Sequence, residues 1–426
     1  MISRIGKLVC EAAGTESFEQ AQALRARDVA LVVADDTDVM LLRSAVALTL
    51  RCFAGKTTIR PMNGSLHPDL EAAARGEAAL CGSIDRLSIG GAREQLELGV
   101  GCNSGGLFVD ARGWSVGVNT MSAASASPSA PASAFAAAAG VAKLFGALIG
   151  KDDAIIREQW THSLLDFEDD ATNNIVNFGR IVLIGAGAVG SAFAHVLCGS
   201  GWQGSITVVD HQRYDEPNHE TTLLISRAAT LRQSPKAETL ASAIRSPSIA
   251  ANFSSMKVGS SDLLLRDSVD AIVCAVDNAE LRRCLDVTSA GTVFNAGVGG
   301  AAEDAGHVLW TRHARHEPPL SLHYRQGSAS FDAATRRVPS DISADECSRL
   351  AYRDVSLAAP FMALAAGALL AAGIAQQALK RPAPTNYMKF DLLGLQQWSV
   401  RRSLGLGEPG SPHLMRSSSR VRIDRA

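Results

Sequence analysis

The chain has 426 residues, of which 46% are hydrophobic and 20% are charged, and its formal net charge is -2. This composition is that of an ordinary globular protein, and the length favours two domains over one. The near-neutral charge implies no strongly basic surface, so we expect no nucleic-acid partner.

The cysteines are scattered and form no CxxC pair. They are Cys10, Cys52, Cys81, Cys102, Cys198, Cys274, Cys284 and Cys347. This spacing indicates reduced thiols, and the N-terminus lacks the apolar core of a signal peptide, so we expect a cytoplasmic protein. Residues 357–375 are uncharged and long enough to cross a bilayer. They are rich in Ala and Gly, which suits a helix packed closely on a sheet, and we therefore expect no membrane span.

The first half shows an α/β pattern. Residues 1–27 are predicted to be helical, residues 30–35 (ALVVAD) to form a strand, and DVMLLRSAVALTLRCFAG to form a helix. A strand in TTIRPM and a β-rich zone at residues 107–120 follow. An Ala-rich helix over residues 131–150 ends this half.

The second half repeats the plan with clearer signals. A buried strand in RIVLIGAGAVGS enters a glycine turn, followed by the helix AFAHVLCGS and the strand SITVVD. The helix SPKAETLASAIRS, the strand VDAIVCAVD, the helix AELRRCLDVTSA and the strand TVFNAGV come next. After β segments in HVLWTRH and SLHYRQ, we predict a long helix at residues 360–380 and strands in NYMKFDLLG and QQWSVRR. Alternating strands and helices predict a mostly parallel, doubly wound sheet.

The shared plan predicts two Rossmann-like halves that form a pseudo-dimer. Residues 1–155 would be a degenerate copy, because ADDTD stands at residues 34–38 where the second half has GAGAVG. Residues 156–404 would hold the intact nucleotide site, and residues 405–426 would be a flexible tail. Two unrelated α/β pieces are the alternative interpretation.

Three glycines form a GxGxxG motif between a predicted strand and helix. Gly185, Gly187 and Gly190 allow a tight turn and a close approach of phosphate to the free amides of the helix N-terminus. Asp210 closes the next strand, where a carboxylate can accept hydrogen bonds from ribose hydroxyls. These residues indicate a nucleotide site and fit NAD as well as ATP.

The residues that follow narrow the choice. Asn218, Lys236 at a helix start, and Asp277-Asn278 at a strand end form a series that resembles the adenylating enzymes of the ubiquitin-activating, molybdopterin-synthase and thiamine-pathway family (ThiF/MoeB type). The resemblance implies that Asp210 holds the ATP ribose, that Asn218 lies near the phosphates, that Lys236 neutralises phosphate charge and that Asp277 binds magnesium. Each of these residues could instead cap a secondary-structure element or face solvent. The hypothesis of an adenylating enzyme therefore rests on their occurring together in this order.

The family pattern also raises two questions. An arginine of its Asn-Leu-x-Arg-Gln segment is replaced here by Thr221, and Arg227, Arg232 or the first half could substitute for it. Cys347 lies in the polar segment DISADECSRLAYRD, which resembles the crossover segment with the reactive cysteine. We do not expect the scattered histidines His307, His313, His316 and His323 to bind a metal.

The resemblance implies an activating enzyme, with a layout similar to enzymes of bacterial ubiquitin-like conjugation operons. It would adenylate the C-terminus of a ubiquitin-like protein with ATP and magnesium, take it as a thioester on Cys347 and pass it to a conjugating enzyme. The alternatives are a sulfur-carrier adenylyltransferase, an NAD-dependent oxidoreductase that would not need Lys236 or Asp277, and a non-catalytic scaffold. Whether the chain forms a homodimer is left open.

Overall fold

The fold consists of two α/β halves, seen in a computed structural model. The model describes residues 3–91, 96–121, 126–151, 156–166, 176–258, 269–276, 281–282, 285, 291–299, 306–314, 339–342, 358–381 and 385–400. The predicted strand SLHYRQ and the predicted tail lie outside these residues.

The first half opens with two helices and then builds a sheet. Its elements are α1 (Arg4–Ala13), α2 (Phe18–Arg25), β1 (Val29–Val33), α3 (Val39–Cys52), β2 (Thr57–Pro61), α4 (Pro68–Leu80), β3 (Leu87–Ile89), β4 (Leu96–Val100), β5 (Phe108–Arg112), β6 (Ser115–Val118), α5 (Ala130–Leu148) and β7 (Trp160–Ser163). Side-chain caps fix the helix starts: Asp38 accepts from the Leu41 amide at α3, and Ser129 accepts from the Ala132 amide at α5.

The second half starts directly on a strand. Its elements are β8 (Asn177–Ile184), α6 (Ala188–Ser200), β9 (Gln203–Val209), α7 (Arg227–Leu231), α8 (Lys236–Ala243), β10 (Ile249–Ser254), β11 (Ala271–Cys274), β12 (Thr292–Val298), β13 (His307–Ala314), α9 (Pro360–Ala378), β14 (Tyr387–Asp391) and β15 (Gln396–Val400). The helix α9 begins at Pro360. Proline is tolerated there because the first amides of a helix make no intrahelical hydrogen bond, so the missing N–H of proline removes none.

The second sheet repeats the topology of the first and adds one strand at its end. The strand order is β3-β2-β1-β4-β5-β6-β7 in the first and β10-β9-β8-β11-β12-β13-β14-β15 in the second. In each sheet the first five strands of this order are parallel and the remaining pairings are antiparallel. The long helices also correspond, because α5 joins β6 to β7 and α9 joins β13 to β14. The prediction of two Rossmann-like halves, with a mostly parallel sheet in the second, is therefore confirmed.

The halves pack through their long helices. Helix α9 lies against both α5 and α6, and one apolar core runs through both halves. The rings of Phe145 on α5 and Phe361 on α9 are 5.3 Å apart. A Cβ at Gly367 of α9 would lie only 2.6 Å from the backbone nitrogen of Phe193 on α6. The Ala/Gly-rich composition of these helices thus allows close helix–helix contact.

Two helices, α5 and α9, are long and apolar enough to cross a membrane by length and composition. Both are almost wholly buried within the fold. Such burial is what a core helix shows, because its whole circumference packs against other elements.

Candidate functional site

The glycine loop is a tight turn between β8 and α6. Gly185 has a φ of 98°, in the left-handed region that favours glycine, and its amide donates to the Val209 carbonyl at 2.9 Å. A Cβ at Gly190 would overlap the carbonyl oxygen of Gly185, so the loop closes on itself there. Gly187 precedes the first turn of α6, and a Cβ there would meet no heavy atom within 4 Å. The space around the Cβ position of Gly187, at the N-terminus of α6, is therefore open, as an anion site requires.

Asp210 is bound to the glycine loop. Its Oδ2 accepts from the Ala186 amide at 2.8 Å, and its Oδ1 accepts from the Gln212 amide at 2.8 Å. Each carboxylate oxygen keeps a further lone pair, so the group remains able to accept hydrogen bonds from ribose hydroxyls. The strand end and the loop are thus held together in the arrangement that a nucleoside phosphate needs.

Tyr214 stabilises the same loop through a hydrogen bond. It is buried, and its hydroxyl donates to the Ala186 carbonyl at 2.7 Å. Burial, followed by the nearby Asp210 carboxylate, raises the pKa of the Tyr214 phenol, which therefore remains a hydrogen-bond donor. Sequence reasoning missed this residue, because a tyrosine five residues after a strand end carries no motif.

Lys236 is brought to this cluster from the start of α8. Its Nζ donates to Gln212 Oε1 at 2.8 Å and lies 5.9 Å from the centre of the Tyr214 ring. The Lys236 amide also donates to the Gln212 carbonyl at 2.9 Å. Gln212 was likewise missed from the sequence, although it links the predicted lysine to the loop of Asp210. The ammonium is therefore in the same contact network as the glycine loop.

Asn218 lies in the turn that follows. Its Oδ1 accepts from the Asp215 amide, and its own amide donates to Asp215 Oδ1, both at 3.2 Å. This reciprocal pair forms a capping box on the turn Glu216–Glu220. The segment then returns to α6, because the Leu223 amide donates to Ser191 Oγ at 3.0 Å. The structure thus places Asn218 in a segment attached to the first turn of α6, with its side-chain oxygen engaged in the cap.

The residue in place of the family arginine does not face the loop. Thr221 is buried, and its hydroxyl donates to the Asn218 carbonyl at 3.4 Å. Of the two suggested substitutes, Arg232 is exposed, and Arg227 lies against the first half, with its Cδ 3.2 Å from the Cβ position of Gly82. No contact of Arg227 or Arg232 with the glycine loop is seen among the described residues.

The first half contacts this segment with its own arginines. Arg51 is buried, and its Nε donates to the Thr222 carbonyl at 3.1 Å. Arg25 forms an ion pair with Glu220 at 3.1 Å, and the Ser3 hydroxyl donates to the same carboxylate at 2.6 Å. The segment beside the nucleotide loop is therefore held from the first half.

Two predicted site residues, Asp277 and Cys347, lie outside the described residues. Asp277 directly follows Val276, whose Cγ1 lies 2.8 Å from the Cβ position of Gly185. Val276, the residue immediately before Asp277, thus lies next to the glycine loop. Within the part of the chain that the structure describes, no cluster of acids, cysteines or histidines could hold a metal ion.

The strand register shows why the first half has no equivalent site. Ile184 pairs with Val209 and Cys274 in the second sheet, as Val33 pairs with Pro61 and Val100 in the first. Counting onward from these pairs, Ala34, Met62 and Asn103 stand where Gly185, Asp210 and Asp277 stand in the second half. The first half therefore has neither the glycine turn nor the ribose carboxylate at these positions.

The fold and the site together define a Rossmann-type nucleotide-binding protein. A family model described as "ThiF family" matches residues 161–403, which is more than half of the chain. The chain belongs to the ThiF family.

Solved structures of one protein, MccB of E. coli, are similar in fold. MccB alone shares 14% identity with a TM-score of 0.40 over 62% of this chain and 71% of that chain. MccB with ATP shares 16% identity with a TM-score of 0.40 over 58% and 67%, respectively. For MccB with MccA-N7isoASN the values are 16% and 0.39 over 55% of this chain, and the match spans just under two thirds, 66%, of that chain. No curated protein sequence matches this chain.

Proposed function

We propose that this protein activates the C-terminal carboxylate of a ubiquitin-like protein with ATP and magnesium. The activated carboxylate would then pass to Cys347 as a thioester and from there to the cysteine of a conjugating enzyme. The observation that carries the adenylation step is the contact network of the glycine loop, Asp210 and Lys236. An enzyme that uses only a dinucleotide has no need for an ammonium group beside that loop.

The network suits nucleotide transfer. In the proposed step a carboxylate oxygen attacks the α-phosphorus of ATP, the bond to the bridging oxygen breaks, and pyrophosphate leaves. The amides at the start of α6 and the Lys236 ammonium would offset the negative charge that develops on the phosphates. Asp277 is the residue that we assign to magnesium, which when bound supplies further positive charge to the leaving pyrophosphate.

The described cysteines favour an acceptor elsewhere in the chain. Burial raises the pKa of five thiols, namely Cys52, Cys81, Cys102, Cys198 and Cys274. Cys10 is buried as well. A thiol attacks as the thiolate, so groups held in the neutral form are poor acceptors. Cys284 and Cys347 lie outside the described residues, and of these two we propose Cys347, whose thiolate would attack the acyl carbon and displace AMP.

Arg4 is our candidate for the missing arginine. Its neighbours Ser3 and Ile5 both contact Glu220, since the Ile5 amide donates to Glu220 Oε2 at 3.3 Å. Arg4 therefore stands beside the segment that carries Thr221. Its Nε is buried and has no hydrogen-bond partner among the described residues. We propose that the guanidinium of Arg4 reaches the ATP phosphates once the substrates are bound.

The deciding experiment is ATP–pyrophosphate exchange with the ubiquitin-like protein encoded nearest this gene. A non-reducing gel of the wild type, Cys347→Ala and the control Cys198→Ala then tests for the thioester. We expect exchange in all three proteins and a thiol-sensitive adduct that only Cys347→Ala lacks. Exchange without an adduct would indicate a sulfur-carrier type of adenylating enzyme.

Other outcomes would contradict the proposed adenylation step. Binding of NAD in place of ATP, with Lys236→Ala still active as an oxidoreductase, would contradict it. ATP binding without exchange for any partner would favour a scaffold. For Arg4→Ala we expect exchange to slow by roughly tenfold or more, as for loss of one charged contact to the phosphates. The exposed Arg27→Ala is the matched control.

A further inference from the structure

A short piece of the second half, Pro339–Ile342, is bound to the first half at the start of α2. Asp341 Oδ1 accepts from the Phe18 amide at 2.7 Å, and its Oδ2 accepts from the Glu19 amide at 2.8 Å. Ser340 donates to the Glu16 carbonyl twice, from its amide and from its hydroxyl, at 3.1 Å each. Pro339 is buried. Four hydrogen bonds thus join segments more than 300 residues apart.

The contact completes the cap of α2. The first amides of a helix have no intrahelical partner, and a carboxylate there is favoured by the helix dipole. Ser17 Oγ accepts from the Gln20 amide at 3.1 Å, which leaves the amides of Phe18 and Glu19 for Asp341. Loss of solvent contact alone would raise the pKa of Asp341, but the hydrogen bonds from these amides outweigh it and lower that pKa. The carboxylate is therefore ionised at neutral pH and bound through both oxygens.

The other end of α2 reaches the nucleotide half near its site. Arg25, the last residue of α2, pairs with Glu220, which directly precedes Thr221. Arg25 is itself fixed, since its Nε donates to the Cys52 carbonyl at 3.2 Å and its Nη2 to the Arg51 carbonyl at 3.0 Å. A helix of this length spans about 12 Å. One short, capped helix of the first half thus holds two separate segments of the second.

We propose that Asp341 is a positioning residue, and that α2 sets the distance between the nucleotide site and the start of the chain segment that leads to Cys347. Cys347 follows Asp341 by six positions in the sequence. The inference rests on the proposed function, because it treats Cys347 as the acceptor thiol. Anchoring the segment on α2 limits the volume in which the thiol searches for the acyl-adenylate, and this favours thioester formation without changing adenylation.

The test compares Asp341→Ala and Asp341→Asn with the exposed control Asp85→Ala in the full-length protein. Amide hydrogen exchange at Phe18 and Glu19 reports the contact itself, independently of activity. Single-turnover thioester formation and ATP–pyrophosphate exchange report its consequence. In Asp341→Ala we expect faster exchange of both amides and thioester formation slowed by roughly fivefold or more, with pyrophosphate exchange within about twofold of wild type.

Asp341→Asn retains one acceptor oxygen without the charge, so its thioester rate should lie between those of Asp341→Ala and wild type, and Asp85→Ala should match wild type. Unchanged amide exchange in Asp341→Ala would overturn the docking contact. Faster amide exchange with an unchanged thioester rate would overturn the positioning role. A wild type that exchanges pyrophosphate but forms no thioester would remove the thioester part of the proposed function and the positioning role together, while the amide exchange would still decide the contact.

Discussion

The three loop glycines differ in what surrounds them, and this predicts three different results for alanine. In Gly190→Ala the new methyl group would overlap the backbone carbonyl of Gly185, which cannot turn away as a side chain can. Overpacking of this kind costs about 1–3 kcal/mol, and the higher helix propensity of alanine returns about 1 kcal/mol. We therefore expect the free energy of unfolding to fall by up to about 2 kcal/mol.

Alanine at the other two glycines should destabilise the protein to different degrees, at least as much at Gly185 and much less at Gly187. Gly185→Ala would place a methyl group 2.6 Å from the Ala275 carbonyl on a residue with a φ of 98°, and the left-handed backbone alone costs about 1–2 kcal/mol. Its destabilisation should equal or exceed that of Gly190→Ala. Gly187 has an ordinary φ of -79° and open space around its Cβ position. Gly187→Ala should thus change stability by less than about 0.5 kcal/mol.

Ligand affinity should follow a different order. The open space at Gly187 is where phosphate must approach the amides of α6, so its methyl group would exclude hydrogen bonds to a charged ligand that are worth about 1.5–3 kcal/mol each. We expect the Kd for ATP to rise by about tenfold or more in Gly187→Ala.

Urea unfolding and calorimetric titration with a non-hydrolysable ATP analogue measure the two effects separately. A Gly187→Ala protein destabilised as strongly as Gly190→Ala would show that the loop is not folded as described. Full affinity in Gly187→Ala would show that the phosphates do not approach this turn.

Three further predictions concern buried polar groups. Tyr214→Phe leaves the Ala186 carbonyl without the donor that now lies 2.7 Å away, so we expect about 1–3 kcal/mol lower stability and weaker ATP binding, measured by urea unfolding and titration; an unchanged Kd would contradict the supporting role. Burial lowers the pKa of His162 to about 4. Below pH 6.5 the unfolded chain therefore binds more protons than the folded chain, so the stability should fall as the pH is lowered from 6.5 towards 4. His162→Phe should flatten this pH dependence. Burial lowers the pKa of Lys143 to about 8, although the nearby Glu158 and Asp391 carboxylates oppose this shift. Between about pH 8 and 10.5 the unfolded chain therefore binds more protons than the folded chain, so the stability of the wild type should rise with pH in this range. This rise should be absent in Lys143→Met, as measured by urea midpoints.

The sequence predicted the elements whose residues are buried on all sides or alternate clearly. The apolar runs of β1 and β8 and the long Ala-rich helices α5 and α9 were all expected close to their observed bounds. The strands that were missed carry weaker signals. Half of the residues of strand β10 (IAANFS) are exposed, because it lies at the sheet edge, β4 has five residues, and β3 and β7 have only three and four. A short or edge strand gains its structure from its neighbour, which a local pattern cannot show.

The site could be predicted only as far as the ordered motif reached. The glycines, Asp210 and Lys236 could be proposed from the sequence because each stands at a strand end or helix start, where the fold brings such residues to one edge of the sheet. Gln212 and Tyr214 were missed, since their roles depend on contacts to Ala186 and Lys236 across the turn. The roles assigned to the glycines, Asp210, Asn218, Lys236, Asp277 and Cys347 all stay predictions.

The first half lacks the groups of a nucleotide site at the corresponding positions but makes contacts with the second half beside the glycine loop. The carboxylate of Glu220 is bound by the Ser3 hydroxyl, the Ile5 amide and Arg25, all of which belong to the first half. Without them a partly buried carboxylate would lose its partners, which is unfavourable. The turn with Asn218 ends at this residue, so its geometry depends on chain segments that are 195 to 217 residues away. The first half therefore holds this turn through packing and hydrogen bonds, and we expect that the second half alone would not hold the turn in its observed place.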